Sequence, residues 1–380
     1  METAATRIED HTTTAPVLYA AFELSNKKWK LGFTVGMGQK PRERVVPARD
    51  LSMVLEEIRA AKRRFKLPET TRMVSCYEAG RDGFWLHRAL VAAGVENQVV
   101  DSSSIEVKRR ARRAKTDRLD LGKLVSMLIR YHSGETKVWS VVCVPDAEEE
   151  DRRQLHRELA DLKAERAREI NRIKGLLASQ GVGFEKRGQA KIDLDGVRLW
   201  DGSCLPEGVR GRIRRAQERI EFLSRQIQEL ETRRIEELES SPRADIQQAR
   251  MLKALRGIGP TFAWDLVMEF FGWRKFRNRR QIGALSGLAP TPYQSGDSAH
   301  EQGISKSGNR RVRTRAIEMA WMWIRYQPES ALSRWFQDRF GQGSSRQRRI
   351  GIVALARKLL VALWRFLETG AIPEGAMLKA

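Results

Sequence analysis

The chain has 380 residues, enough for two or three domains that each bury a core. Hydrophobic residues make up 41% and charged residues 31%, a balance typical of a folded protein and not of a disordered one. The 70 Lys and Arg residues outnumber the 48 Asp and Glu residues and leave a formal charge of +22. So large an excess repels itself, which points to a polyanionic partner, with nucleic acid ahead of a membrane surface.

Three cysteines and five scattered histidines are too few for a disulfide framework or a zinc cluster. A metal ion would therefore be held by carboxylates, which suits Mg²⁺ or Mn²⁺. The amino-terminal segment lacks the basic-then-apolar pattern of a secretion signal. The longest apolar run, 350–367, contains Arg357, Lys358 and Arg365, which predicts an amphipathic helix and not a membrane span. We expect a cytoplasmic bacterial protein.

Residues 1–145 alternate between strand and helix patterns. Strands are predicted at 17–22, 29–35, 42–47, 71–77 and 95–100, and helices at 51–65, 84–93 and 117–131. The order β-β-β-α-β-α-β-α is that of a ribonuclease-H-like α/β domain.

Residues 146–246 carry two apolar stripes at three- and four-residue steps among dense charge, which predicts an antiparallel or intermolecular coiled coil that spaces other regions or pairs subunits. The stripes are Leu155, Leu159, Leu162, Ile170, Ile173 and Leu177, then Ile213, Ile220, Leu223, Ile227 and Leu230.

Residues 247–380 are predicted to be mainly α-helical, with closing helices at 310–326 and 349–368. Residues 252–259 followed by Pro260 resemble a helix-hairpin-helix, in which Gly257 and Gly259 would let backbone N–H groups approach a DNA phosphate. A tight turn between helices without a ligand is the alternative.

Four carboxylates stand where a ribonuclease-H-like fold would gather them. Glu23 ends the first strand and Glu78 ends a later one, while Asp117 and Asp120 share one helix face. Together they could hold two Mg²⁺ ions for phosphodiester chemistry. The alternative is ordinary salt bridging by Asp117 and Asp120.

The stretch before these aspartates is basic at seven of the eleven positions from 108 to 118. It could clamp a phosphate backbone beside the acids, or it could be a solvated face. The candidate phosphate-binding residues are Lys108, Arg109, Arg110, Arg112, Arg113 and Lys115.

Glu78-Ala79-Gly80, Val100-Asp101-Ser102-Ser103 and Lys115-Thr116-Asp117-Arg118-Leu119-Asp120 resemble the DEDD domain of IS110/IS1111-family transposases, which is similar to the RuvC junction resolvase. The first acid of that family is usually Asp, whereas this chain has Glu23. Glutamate reaches one methylene further and could still bind Mg²⁺, so its equivalence to the aspartate is left open.

A second resemblance, to the carboxyl-terminal domain of the same family, rests on Gly287-Leu288-Ala289-Pro290, Tyr293-Gln294-Ser295-Gly296 and residues 303–311. It implies that Ser295 is the nucleophile and forms a phosphoserine link to DNA. A metal at the acidic site would activate this serine if the two regions meet. Tyr293 is the rival nucleophile.

Basic residues in and after the Gly-Asn turn that opens the predicted helix at 310–326 are expected to bind phosphates near the reacting bond, unless they are merely solvated. They are Lys306, Arg310, Arg311 and Arg313.

The resemblance spans about residues 17 to 370. It implies a nucleoid-associated recombinase that acts as a homodimer or tetramer on element ends and target DNA, with a structured bridge RNA as partner. Two other hypotheses are a RuvC-like junction endonuclease that uses water and a catalytically decayed nucleic-acid-binding protein.

Overall fold

The computed structural model describes residues 15–105, 117–183, 192–295 and 298–379, and the side chains of 117–120 and 293–301 are outside that description. The chain divides into two compact units, Met1–Pro145 and Asp146–Ala380. The predicted further boundary between residues 246 and 247 stays a prediction.

The first unit is built on a five-stranded mixed sheet with the strand order β3-β2-β1-β4-β5. Strands β1, β2 and β3 pair antiparallel, whereas β1–β4 and β4–β5 pair parallel. The strands are β1 Leu18–Glu23, β2 Lys28–Thr34, β3 Arg42–Pro47, β4 Met73–Glu78 and β5 Glu96–Val100. The helices are α1 Leu51–Arg64, α2 Trp85–Ala92 and α3 Asp117–His132. The predicted order of strands and helices is confirmed, and with it a mixed α/β first unit.

Both faces of the central strand β1 are covered, which explains why its sequence is almost continuously apolar. Ala20 and Phe22 belong to a buried cluster with residues of β2, α1 and α2. Ala21 faces the other way and joins Leu121 and Leu124 of α3 in a second cluster. Helix α3 therefore packs on the face opposite α1 and α2.

The second unit is mainly helical, as predicted. Its helices are α4 Ala147–Asp151, α5 Gln154–Ala178, α6 Glu207–Ser240, α7 Ala244–Ala254, α8 Pro260–Leu266, α9 Arg279–Leu285, α10 Arg310–Tyr326, α11 Ala331–Phe340 and α12 Ser345–Thr369. A single π-helical turn, Val267–Phe271, follows α8, and strands β6 Pro290–Ser295 and β7 Ser298–Ile304 form a hairpin. No helix within the described ranges is long and apolar enough to cross a membrane.

Helices α5 and α6 pack along each other within one chain. Lys163 pairs with Glu231 at 2.5 Å and Arg219 with Glu169 at 2.8 Å, so the two helices run antiparallel. Most residues of the two predicted apolar stripes are buried between these helices or against neighbouring ones. Supercoiling, and any role in pairing subunits, stay predictions.

Several elements of the second unit were not predicted from the sequence, among them helices α4, α9 and α11 and the β6–β7 hairpin. The β6–β7 hairpin was not predicted because its first strand contains Pro290 and Pro292, and proline is unusual inside sheets. Helix α11 follows Pro328 closely and spans only ten residues, and it is held by the cap of Ser330 and the burial of Phe336.

Candidate functional site

Two of the four predicted acids, Glu23 and Glu78, line one cavity of about 370 Å³. The parallel pairing of β1 with β4 sets Phe22 beside Tyr77, so the glutamates that follow stand at neighbouring strand ends. Glu23 is half-buried and Glu78 is exposed. The structure therefore brings these two carboxylates together at the edge of the sheet where the sequence predicted them.

Asp117 and Asp120 lie in the first turn of α3, and their side chains are outside the described part of the chain. One helical turn after Asp120, Leu124 lines the same cavity as Glu23 and Glu78. Among the described side chains, no group of three or more His, Cys, Asp or Glu could hold a metal ion. Glu23 and Glu78 would thus need further ligands, and a contribution from Asp117 and Asp120 stays a prediction.

An ion pair that the sequence did not reveal lies beside this cavity. Asp82 lines it, is 5% exposed in its side chain, and contacts Nη2 of Arg49 through Oδ1 at 2.9 Å. Arg49 Nη1 also donates to the carbonyl of Asn26 at 3.4 Å. One guanidinium therefore joins the turn that follows Glu23 to the turn that follows Glu78.

Arg49 adopts a left-handed backbone conformation, with φ of 68°. Such a conformation costs an ordinary residue roughly 1–2 kcal/mol and persists only where surrounding contacts hold it. The contacts with Asp82 and Asn26 are contacts of that kind.

The basic run is outside the described residues. Lys108, Arg109, Arg110, Arg112, Arg113 and Lys115 all fall between positions 105 and 117, so their predicted phosphate contacts stay predictions.

Ser295 is the last residue of β6, and its backbone pairs with Ser298 of β7. Tyr293 pairs with His300 on the same hairpin. The side chains of both candidate nucleophiles are outside the described part of the chain, so the choice between them rests on the resemblance.

Two glycines close the base of this hairpin. Gly287 has φ of 68° and Gly308 has φ of 92°. A Cβ atom at Gly287 would collide with the carbonyl of Ser307, and one at Gly308 with the carbonyl of Leu285. The glycines of the motif blocks on either side of Ser295 are therefore needed for close backbone packing.

The four predicted phosphate-binding residues near α10 differ in how far the protein itself uses them. Arg313 Nη1 donates to the carbonyls of Lys306 at 3.0 Å and Ser286 at 3.4 Å, so this guanidinium partly stabilises the hairpin base. Lys306, Arg310 and Arg311 are exposed. The last two open α10, which Asn309 Oδ1 caps by accepting from the N–H of Arg311 at 2.9 Å.

Gly257 and Gly259 lie in the turn between α7 and α8. Gly257 has φ of 82°, and a Cβ there would lie 3.1 Å from that of Tyr326, so close packing against α10 already accounts for this glycine. A Cβ atom at Gly259 would meet no other heavy atom within 4 Å among the described residues. Nothing in this geometry tests the predicted DNA contact of the turn.

The carboxyl-terminal residues cover the same turn. Met377 accepts the N–H of Arg256 at 3.0 Å, and Lys379 Nζ donates to the carbonyl of Ile258 at 2.7 Å. Gln327, buried at the end of α10, donates to the carbonyls of both Arg256 and Met377.

Glu269 is the centre of a buried polar network that the sequence analysis missed. It is 1% exposed. Its Oε1 accepts from His156 Nε2 at 2.9 Å and Arg157 Nε at 2.6 Å, and its Oε2 accepts from Arg157 Nη2 at 3.0 Å and Asn309 Nδ2 at 3.1 Å. Burial by itself would raise the pKa of Glu269, but the hydrogen bonds from His156 and Arg157 outweigh it and hold the pKa far below its ordinary value.

A single acid inside the apolar run Val267–Phe271 was the only sequence signal for this network. The network joins α5, the π-helical turn and the residue that caps α10.

Comparison with known proteins gives consistent matches. Residues 249–334 match the model of the transposase IS116/IS110/IS902 family. The chain is 44% identical over 376 residues to the transposase y4rJ of Sinorhizobium fredii, which covers 95% of this chain and 94% of that relative. It is also 27% identical over 221 residues to the transposase for insertion sequence element IS1328 of Yersinia enterocolitica, covering 57% and 63% of the two chains.

Proposed function

The chain belongs to the IS116/IS110/IS902 family of insertion-sequence transposases, and from this premise we propose that it cuts and rejoins DNA with a carboxylate-held Mg²⁺ site and Ser295 as nucleophile. The observation that carries the proposal is the shared cavity of Glu23 and Glu78 at the ends of two adjacent parallel strands. The strand order β3-β2-β1-β4-β5 supports our assignment of this unit to the ribonuclease-H-like, RuvC-like fold.

The donor set fits a hard divalent cation. Glu23 and Glu78 offer carboxylate oxygens, the ligands that Mg²⁺ and Mn²⁺ prefer, and we assign Asp117 and Asp120 as the additional ligands. Bound there, the ion would stabilise negative charge on a reacting phosphate and lower the pKa of an attacking hydroxyl.

Ser295 would carry the covalent step. Its Oγ attacks the phosphorus of one phosphodiester, the bond to one bridging oxygen breaks, and the serine proton ends on that leaving oxygen as a DNA hydroxyl. The strand is then held as a phosphoserine diester, so no bond energy is lost to water. Attack by another DNA hydroxyl on the same phosphorus rejoins a strand and returns the proton to Ser295.

We further propose two kinds of nucleic acid as partners, the DNA of element ends and target and a structured non-coding bridge RNA, with the protein acting as a dimer or tetramer at the nucleoid. The support is the formal charge of +22, which favours polyanionic partners. Exposed Lys306, Arg310 and Arg311 are available to phosphates.

The test is a cleavage reaction with the full chain, end-joined element DNA, the flanking non-coding RNA and Mg²⁺. Products are run on a denaturing gel with and without protease. We expect a shifted band that protease removes, and its loss in Ser295→Ala.

Ser298→Ala, a change of the same type on the partner strand of the hairpin, is the matched control and should keep the band. Undiminished cutting by Ser295→Ala without a shifted band would identify a hydrolase that uses water. Loss of the band in Tyr293→Phe, with Ser295→Ala unaffected, would identify the tyrosine as nucleophile.

A further inference from the structure

A second cavity, of about 460 Å³, lies within the second unit at the amino-terminal end of α10. Its volume is in the range of small-ligand sites in proteins. His156, Asp265 and Glu269 line one part of it, and Arg310, Arg311 and Thr314 line another. We refer to the first three residues as its floor and to the last three as its rim.

The floor contains an acceptor that the protein does not use. Asp265 Oδ2 accepts from Arg315 Nε at 2.6 Å, but Oδ1 is buried and has no hydrogen-bond partner among the described residues. Leaving a buried acceptor unpaired costs about 1–3 kcal/mol. Burial raises the pKa of Asp265 although Arg315, His156 and Arg234 oppose that rise. The free oxygen therefore favours a ligand that brings a hydrogen-bond donor.

His156 adds a second unused position. Its Nε2 lies 2.9 Å from Glu269 Oε1 and so carries the hydrogen of that bond. Nδ1 is buried without a partner in the described part of the chain, and it can accept a hydrogen bond when the ring is neutral or donate one when the ring is protonated. Glu269, by contrast, receives four hydrogen bonds and holds the floor in place.

The rim, unlike the floor, is positively charged. Arg310 and Arg311 are exposed at the start of a 17-residue helix, where the helix dipole adds to their positive charge. The carboxylate of Asp161 is 4.0 Å from Arg311, too long for a strong ion pair. An anionic group is therefore favoured at the rim.

One class of ligand satisfies both parts. A phosphodiester alone has no hydrogen to offer Asp265, and a cation is repelled by the rim. We propose that this cavity binds a single unstacked nucleotide of a nucleic-acid strand, with its phosphate on Arg310 and Arg311 and a base N–H group on Asp265. Every base carries an amino or imino hydrogen that could make this bond. The inference rests on the proposed function only in taking nucleic acid as the substrate.

The test measures binding to the full chain by calorimetry, without element DNA, RNA or Mg²⁺. The probes are deoxyguanosine 5′-monophosphate, deoxyribose 5-phosphate and the dinucleotide d(pGpG). We expect the sugar phosphate to bind at least tenfold more weakly than the nucleotide, and the dinucleotide at least as tightly. Equal binding of the sugar phosphate would reduce the cavity to an anion site, and exclusion of the dinucleotide would make it a site for free nucleotides. Either result overturns the proposal.

Variants tie the binding to this cavity. Thr314 is exposed on the rim, so Thr314→Trp should fill the cavity without disturbing the core and weaken nucleotide binding at least tenfold. Arg310→Ala should do the same, whereas Arg325→Ala, an equal charge change near the other end of α10, should change binding less than twofold.

Wild-type affinity in Thr314→Trp, or equal losses in Arg310→Ala and Arg325→Ala, would refute the assignment. Because no cleavage is measured, these results are independent of the Ser295 test.

Discussion

The two units each place glutamates at a polar centre, but they use them differently. In the first unit Glu23 and Glu78 stand together at strand ends beside a cavity, where Glu78 is exposed to solvent. In the second unit Glu269 is buried and receives four hydrogen bonds from three residues. The four hydrogen bonds hold Glu269 in place as part of the architecture, whereas the exposure of Glu78 leaves its carboxylate accessible from solvent.

The largest expected effect is on stability in the second unit. Glu269→Gln removes the charge that pairs with Arg157 and leaves His156 and Arg157 poorly partnered. Breaking a buried pair in this way typically costs about 3–5 kcal/mol. Urea unfolding followed by tryptophan fluorescence should show this loss, while Glu318→Gln, an exposed pair on α10, should lose less than about 1 kcal/mol. Equal losses of stability in both variants would show that Glu269 contributes no more to the fold than an exposed acid does.

The same carboxylate should make stability depend on pH. Because the folded pKa of Glu269 lies below its ordinary value of 4.5, its contribution is complete above that value and disappears as pH falls through the folded pKa. The stability difference between wild type and Glu269→Gln should therefore shrink between pH 5 and pH 2. A difference that stays constant over this range would contradict the depressed pKa.

The next effect is on cleavage in the first unit. Glu78→Gln and alanine at Asp117 or Asp120 should slow Mg²⁺-dependent cleavage by about 100-fold or more and leave unfolding and nucleic-acid binding nearly unchanged. Glu69→Gln, an exposed acid in the same unit, is the matched control. If nucleic-acid binding falls together with cleavage, the acids are not metal ligands.

The smallest effect is expected for the Arg49–Asp82 ion pair, which joins two turns beside the cavity of Glu23 and Glu78. Asp82→Asn should raise the Mg²⁺ concentration for half-maximal cleavage by about tenfold with little change in the maximal rate, because it loosens the loops behind Glu23 and Glu78. Arg49→Ala should act alike, and the double variant should be no worse than either single one. Additive losses would show that the two residues act separately.

The first unit was largely predictable because local patterns determine it. Apolar strand segments separated by amphipathic helices placed every strand of the sheet, and parallel pairing then brought Glu23 and Glu78 to one edge. The Arg49–Asp82 ion pair was not predicted, since nothing in either local sequence indicates that the turns after β3 and β4 come into contact.

The second unit was less predictable because its polar centre is assembled from distant segments. His156 and Arg157 lie far from Glu269 in sequence, and the sequence placed Asn309 only in the turn that opens the helix at 310–326. The sequence analysis assigned no strand to the hairpin that carries Ser295, since prolines and glycines are typical of turns. In the structure Gly287 and Gly308 allow close backbone packing at its base.

The contacts of Met377 and Lys379 with the turn at 255–259 have a consequence for fragments of this protein. The match to the family model ends at residue 334, yet the turn at 255–259 is completed by Met377 and Lys379. A fragment trimmed to the matched stretch would leave the N–H of Arg256 and the carbonyl of Ile258 without these partners. The matched segment by itself would therefore lack contacts that complete its first turn.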